Sequence, residues 1–361
     1  MSFSGSYRAG EVAFLLTRLQ AQRFTDVGEK ERLIQSGQRH YSQMLSPEAP
    51  PSARYMAVFE DACRANNSRM ATECLRLAGL IAAQRQGAVT VVSLARAGTP
   101  VGVVVTRLLR EVFAREAMHY CVSIVRDRGI DAAALRHILA EGHAPEAIVF
   151  VDGWTGKGVI ARELARSVSA FNANEGTRID SGLYVLSDLA GAAACAASGD
   201  DYLIPSSILN ATVSGLVSRT VLDERIGPDD FHGCVYYGEF AAHDQSQRFV
   251  DEVTALAIAQ AETMPAAAPL DAHAAARRSR TYLDGAMARY GIMDVNLIKP
   301  GIGEATRVLL RRVPRLLLLR ASGDPDVAHL EVLAAEKQVP VEIDPDLPYH
   351  AVSLIRSASD G

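Results

Sequence analysis

Four short apolar runs constrain this chain more than any other feature. AVTVVSL (88–94), HYCVSIV (119–125), AIVFVD (147–152) and GLYVLSD (182–188) are rich in Val, Ile, Leu and Tyr, and stretches with helical spacing separate them. Parallel strands need a crossover of a dozen or more residues, usually a helix, so this alternation predicts βαβ units and a parallel sheet. In such sheets a ligand meets the chain beyond the carboxyl ends of the strands. The residues that follow each run therefore carry the functional weight.

Around that region the texture changes. Residues 1–88 read as a mainly helical segment packing on the core, with turn signals at SPEAPPSARY, and 89–260 as the sheet domain. Pro and Ala dominate ETMPAAAPLDAHAAA, which marks residues 261–280 as a linker. Residues 281–361 form a second, small α/β unit: helix around GEATRVLLRR, strand RLLLLRA, helix DVAHLEVLAAEKQ, strand VPVEID. A chain of 361 residues accommodates two domains, and a hydrophobic fraction of 48% supplies their cores. With 37 Lys+Arg against 42 Asp+Glu, the whole molecule has no general attraction for nucleic acid or membrane, so any such contact is local. The longest apolar stretches, AVTVVSLA and VGVVV, fall far short of the roughly 20 residues that cross a bilayer. The start lacks the basic-then-apolar pattern of a secretory signal, and the expectation is a soluble, cytoplasmic protein with no membrane partner. Cys63, Cys74, Cys121, Cys195 and Cys234 lack CxxC spacing, which argues against a zinc ribbon or a disulfide framework.

Three strand ends in succession carry anion-binding chemistry. After the first comes SLARAGTP, Ser93, Arg96, Ala97, Gly98 and Thr99 at the entrance of a helix, where a glycine admits close backbone approach and the helix presents free N–H groups. A tight turn with an ordinary surface arginine reads equally well. After the second comes RDRGID, in which Arg126 and Arg128 have the fork geometry that suits phosphate, or form a solvated charge run. After the third comes DGWTGKG. Asp152 is placed to accept hydrogen bonds from hydroxyls or to hold a metal, while Thr155, Gly156, Lys157 and Gly158 open a helix with Lys157 as countercharge. The spacing is not a Walker A loop, because Gly158 follows Lys157 and the first glycine is too close.

Further on, Ser206, Ser207, Asn210, Thr212, Ser214, Ser218 and Arg219 crowd an apolar segment, where they could read the edge of a base or satisfy backbone. HGC and HYC each put a histidine two residues from a cysteine, His232 with Cys234 and His119 with Cys121. On a strand that spacing sends both side chains to one face.

The blocks FSGSYRAGEVAFLL, SLARAGTP, HYCVSIVRDRGID, FVDGWTGKG and IPSSILNATVSGLVSRTV together resemble the orotate-phosphoribosyltransferase-like group of type I phosphoribosyltransferases found in tellurite-resistance and stress operons. The same family also carries the label StiP-type cysteine protease. The first label implies a Rossmann-like phosphoribosyltransferase core that binds phosphoribosyl diphosphate and transfers ribose 5-phosphate to a nucleobase-like acceptor. Asp152 would then meet the ribose and a magnesium ion, and Gly153, Thr155, Gly156, Lys157 and Gly158 the 5-phosphate. Ser93, Arg96, Ala97, Gly98 and Thr99 would hold pyrophosphate, Arg126 and Arg128 would stabilise its departure, and Asn210, Ser214, Ser218 and Arg219 would hold the acceptor. The family's second acid is replaced here by Gly153, followed by Trp154. The second label implies a Cys/His pair, Cys234 with His232 or Cys121 with His119, and a third reading is a non-catalytic binder of a nucleotide or RNA.

GIGEATR resembles the G-x-N-E-x-T-K pattern of Pelota-type RNA-binding domains through Gly301, Glu304, Thr306 and Arg307, with Gly303 in place of the Asn. That likeness implies an RNA partner met by these residues, with Arg311, Arg312 and Arg315 near the phosphates. A second copy of the chain, as a homodimer, is a further expected partner.

Overall fold

The computed structural model describes residues 2–19, 25–263 and 270–356, so residues 264–269 of the expected linker lie outside the described residues. In chain order the N-terminal part comprises β1 (Ala13–Leu15), β2 (Thr17–Arg18), α1 (Val27–Gln35), α2 (Ala53–Gln84), β3 (Val89–Leu94), α3 (Thr99–Glu111) and β4 (Ala117–Val122). There follow β5 (Ile124–Val125), β6 (Gly129–Ile130), α4 (Ala132–Ala140), β7 (Ile148–Thr155), α5 (Val159–Glu175), β8 (Leu183–Asp188), β9 (Cys195–Ser198), β10 (Gly233–Cys234) and α6 (Ser246–Gln260). The C-terminal part has α7 (Ala272–Tyr290), β11 (Ile298–Pro300), α8 (Ile302–Arg311), β12 (Pro314–Leu319), α9 (Ala328–Glu336), β13 (Val341–Ile343) and β14 (Ala351–Ile355).

The first sheet has the order β1-β4-β3-β7-β8-β9, and every pair in it is parallel. All six residues of β3 are buried, because both faces of the sheet are covered. Alternation then sorts the side chains: Val91, Val149 and Val151 face α2, α3 and α6, whereas Val92, Leu94 and Phe150 face α4 and α5. The chain leaves β3 toward β4 on one side and returns to β7 on the other, so the topological switch lies between β3 and β7. The expectation of an α/β fold with a parallel sheet holds; a core peculiar to phosphoribosyltransferases is not established by it.

The segment expected to be mainly helical also contributes a strand. Ala13 to Leu15 add β1 to the edge of the sheet beside β4, with Phe14 and Leu15 fully buried on opposite faces. The run HYCVSIV splits at Ser123 into β4 and the short β5, which pairs with β6 in a hairpin. The second sheet, β11-β14-β12-β13, is antiparallel except for the β12–β13 pair. Its α8 shares the core of the first sheet: Ile302, Ala305 and Leu309 are fully buried in the same apolar cluster as α2 and α3.

One buried acid links α2 to the region after β9. Glu73 accepts hydrogen bonds from Ser198 Oγ and Tyr202 Oη, each at 2.6 Å, and Arg69 lies 4.3 Å over the Tyr202 ring. Burial pushes the Glu73 carboxyl up to about 7 against those hydrogen bonds and the Arg69 charge. An acid raised above its ordinary value of 4.5 costs stability when it ionises, so its contribution is complete at low pH and is lost as pH rises from 4.5 through about 7. Urea denaturation at pH 5 and pH 8 is expected to show Glu73→Gln removing about 2–3 kcal/mol of pH dependence that the native chain possesses.

Candidate functional site

Register places two short side chains together at the carboxyl ends of β3 and β4, where Ser93 is paired with Cys121. His119, two residues earlier, points to the same side of β4. His119 Nε2 lies 2.8 Å from Ser93 Oγ, and the Cys121 thiol interacts with the Ser93 hydroxyl and lies 3.2 Å from Thr99 Oγ1 at the first turn of α3. His119 Nδ1 is 3.0 Å from the Glu11 carbonyl oxygen. A carbonyl only accepts, so the network assigns the proton to Nδ1 and leaves Nε2 to accept from Ser93. Gly102 of α3 makes this packing feasible, since a Cβ there would run into His119 Nε2.

The group rests in neutral form. Burial pushes the Cys121 thiol up to about 12 against its polar contacts with Thr99 and Ser93, and burial pushes His119 down to about 3. Cys234 belongs to the same neighbourhood, and burial together with the nearby Cys121 pushes it to about 12. His232 does not pair with it: Nδ1 is 2.8 Å from Ser123 Oγ, and the backbone N–H donates to Asp131 Oδ2 at 2.7 Å. Cys63 and Cys74 are raised by burial within α2, and Cys195 is the half-buried thiol of β9. No cysteine among the described residues hydrogen-bonds a histidine directly. His119 and Cys121 are linked only through Ser93, which sequence spacing gave no means of finding because Ser93 lies on the neighbouring strand.

Most of the charged residues singled out at the strand ends are committed to protein partners. Arg96 donates to Glu48 at 2.8 Å, to the Val217 carbonyl at 2.9 Å and to Asn210 Oδ1 at 2.7 Å. Ala97 is half-buried beside it, and a Cβ on Gly98 would stand 2.8 Å from the Val151 carbonyl, so that glycine serves helix-to-strand approach. Ser214 is buried, Ser218 Oγ donates to the Arg219 carbonyl and accepts from the Val235 N–H, and Arg219 donates to the carbonyls of Tyr41 and Met44. Ser207 and Thr212 are buried and Ser206 is half-buried. Arg126 lies 5.2 Å over the Tyr41 ring, whose hydroxyl accepts its backbone N–H, while Arg128 is exposed.

The DGWTGKG loop faces the second sheet. Lys157 Nζ donates to the carbonyls of Val295 at 2.7 Å and Ile298 at 2.9 Å, so its partners are backbone oxygens of the C-terminal unit. Burial and the neighbouring Lys299 pull that ammonium down to about 7. Thr155 Oγ1 accepts from Gly158 N–H at 2.9 Å, and a Cβ on Gly156 would stand 3.0 Å from the Pro300 carbonyl. Asp152 accepts from its neighbour Gly153 N–H at 2.8 Å; burial raises it to about 6, opposed by that bond and by Arg307. Trp154 packs on Gly303, where a Cβ would be 3.4 Å from the indole, and Arg307 lies 5.4 Å over the ring. Glu304 pairs with Arg307 at 3.3 Å and with Lys299 at 3.9 Å. Thr306 is buried, donating to the Ile302 carbonyl and meeting His329 Nε2 at 2.8 Å, and Gly301 caps α8 at φ 92°. The Arg311 side chain lies outside the described residues, whereas Arg315 donates to the Tyr290 carbonyl.

Among the described residues the grouping with metal-ligand spacing is Asp324, Asp326 and His350; Asp152 is not part of it. No helix among them is long and apolar enough to cross a membrane.

Residues 5–254 match the family described as tellurite-like stress resistance cysteine protease StiP, and residues 277–357 match the PELOTA RNA binding domain. A curated relative, cysteine protease StiP of Acinetobacter baylyi, is 41% identical over 372 aligned positions that cover 99% of this chain and 96% of the relative. The expected phosphoribosyl transfer is thereby overturned: the near full-length relative is named a protease, and the strand-end groups expected to hold diphosphate and acceptor are spent on protein partners. By both the family match and this relative, the chain belongs to the StiP family.

Proposed function

We propose that this chain is a cysteine peptidase with Cys121 as nucleophile and His119 as base acting through Ser93. The observation that carries this reading is the Ser93 hydroxyl, 2.8 Å from Nε2 and on the residue paired in register with Cys121, at the end of the sheet where α/β proteins keep their reacting groups. The Cys121 proton passes to Ser93 Oγ as Ser93 gives its own proton to His119 Nε2. The thiolate then forms a bond to the peptide carbonyl carbon, the C–N bond breaks, and the amine leaves with a proton from the imidazolium. Water releases the acyl group from sulfur. The positive end of the α3 dipole, beside Thr99, favours the thiolate.

In the closed form the first proton transfer is strongly uphill, since burial holds the thiol near 12 and the imidazole near 3. Turnover therefore requires water and substrate to enter, which brings both groups back toward their ordinary values. For the C-terminal unit we propose RNA binding, supported by its match to the PELOTA RNA binding domain.

Casein or peptide-library hydrolysis tests the assignment. Cys121→Ala is expected to lower the rate by about 10³-fold or more and Ser93→Ala by roughly 10²-fold with an altered pH profile, while Cys234→Ala stays within a factor of a few. Activity that survives Cys121→Ala and is lost in Cys234→Ala would transfer the role to the other thiol. Gly102→Ala is expected to fold less stably and to lose activity, because the new methyl displaces the His119 ring. Iodoacetamide at neutral pH, read by peptide mapping, should label half-buried Cys195 first and the four buried thiols only slowly. Early labelling of Cys121 in the free protein would overturn the closed resting state.

A further inference from the structure

The loop between β12 and α9 and the residue ahead of β14 bring three metal-ligating side chains together, away from the strand ends of the first sheet. Leu319 pairs with Ala351 in register and the Arg320 N–H donates to the His350 carbonyl at 3.0 Å, so His350 stands across from the start of the loop that carries Asp324 and Asp326. One ligand atom from each of Asp324, Asp326 and His350 lies within 4.8 Å of the other two. His350 Nδ1 and Asp324 Oδ2 are 3.0 Å apart. Two ligands about 2.1 Å from one ion stand roughly 3.0–3.4 Å from each other in octahedral or tetrahedral geometry, so this pair already has the separation of neighbouring ligands. The loop is braced from α9, where Glu331 accepts from the Ser322 hydroxyl at 2.8 Å and from the Gly323 N–H at 3.2 Å.

Protein partners do not use up this donor set. Among the described residues the Asp326 carboxylate has no hydrogen bond or ion pair, only its backbone N–H being spent, on Asp324 Oδ1. His350 also lines a cavity of about 200 Å³ in the seam between the two units, with Asp201, Arg278, Ser279, Arg320 and Tyr349. Tyr349 is 3% exposed, and its buried hydroxyl lacks a well-formed hydrogen bond, with Ser279 as its polar neighbour. Arg278 and Arg320 stand against Asp201, Asp324 and Asp326, while Asp200 is paired with Arg69 at 2.7 Å, so the local balance is negative. Arg320 spends Nε on the carbonyls of Leu347 and Tyr349.

We propose that Asp324, Asp326 and His350 bind a divalent transition-metal ion, of the manganese or zinc kind, at the edge of this cavity. One imidazole nitrogen with two carboxylates is a mixed donor set that suits such ions, whereas calcium and magnesium take oxygen ligands. The ion replaces the proton on His350 Nδ1, which is released as the metal binds. Three protein ligands leave coordination positions for water or a substrate group, the pattern of open rather than purely structural sites. Asp201 accepts the His350 N–H at 2.8 Å, so the ion is anchored to both units.

Chelator-treated full-length protein is titrated with Mn²⁺, followed by loss of the free-ion electron paramagnetic resonance signal, and with Zn²⁺ by calorimetry. The expected result is one ion per chain, bound at least about tenfold more weakly by His350→Ala and by Asp326→Asn, and a metal-dependent rise in Tm that both variants lose. Asp346→Asn is the control, because Asp344 and Asp346 repeat the Asp-Pro-Asp spacing and belong to no such grouping among the described residues. Thermal melts establish that the variants fold; if His350→Ala does not, Asp326→Asn, whose carboxylate has no partner to lose, carries the comparison. Failure of both ions to bind at up to millimolar concentration overturns the site. Affinity unchanged in the folded variants overturns it by placing the ion elsewhere, and equal weakening in Asp346→Asn overturns it in favour of diffuse attraction to surface acids. Cys121→Ala should bind either ion as the native chain does, which keeps this outcome separate from the peptidase reading.

Discussion

A buried ammonium fastens the two sheets together. Lys157 leaves the tip of β7 and donates to two backbone carbonyls beside β11, so removing it would strand both oxygens and open the seam. Asp201, after β9, works in the same direction by accepting the N–H of Ile302 at the start of α8 and that of His350 before β14, both at 2.8 Å. With α8 fixed at two points, Ile302, Ala305 and Leu309 complete an apolar cluster that begins on α2. The second unit is thus a wall of the first, and the strand ends lie partly beneath it.

Two sequence departures explain each other in that contact. The phosphoribosyltransferase pattern has an acid where this chain has Gly153, followed by Trp154, and the Pelota pattern has Asn where it has Gly303. In the structure the indole lies against Gly303, where a Cβ alone would already be in van der Waals contact with the ring. Aromatic area on one unit is matched by an absent side chain on the other, and Arg307 covers the remaining ring face. Neither position announces this alone, because each is read against a different family.

Much of the fold was legible. The runs at 88–94, 147–152 and 182–188 became β3, β7 and β8, since continuous β-branched stretches bounded by turns fit only strands buried on both faces. Of the strands that escaped notice, β1, β9 and β10 are two to four residues long, and distant partners decide their pairing. The site was legible in part. His119 and Cys121 do share a face, as the two-residue spacing requires, but Ser93 joins them from another strand. Lys157 has the loop context of a phosphate ligand, and a glycine-bracketed lysine serves carbonyl oxygens equally well. Only the position of the second sheet distinguishes the two.

The hold on His119 has a consequence for the start of the chain. Its Nδ1 proton is fixed by the Glu11 carbonyl, two residues before β1, and the Glu11 carboxylate is itself clamped by Arg107 of α3. Trimming the chain ahead of Val12 would remove that carbonyl together with Tyr7 and Phe3, which pack on Phe14 of β1, and so loosen the sheet edge and free the imidazole to exchange tautomers. The opening residues thus govern which nitrogen of His119 is basic, and a peptidase of this design could be disarmed by clipping a segment far from the thiol in sequence.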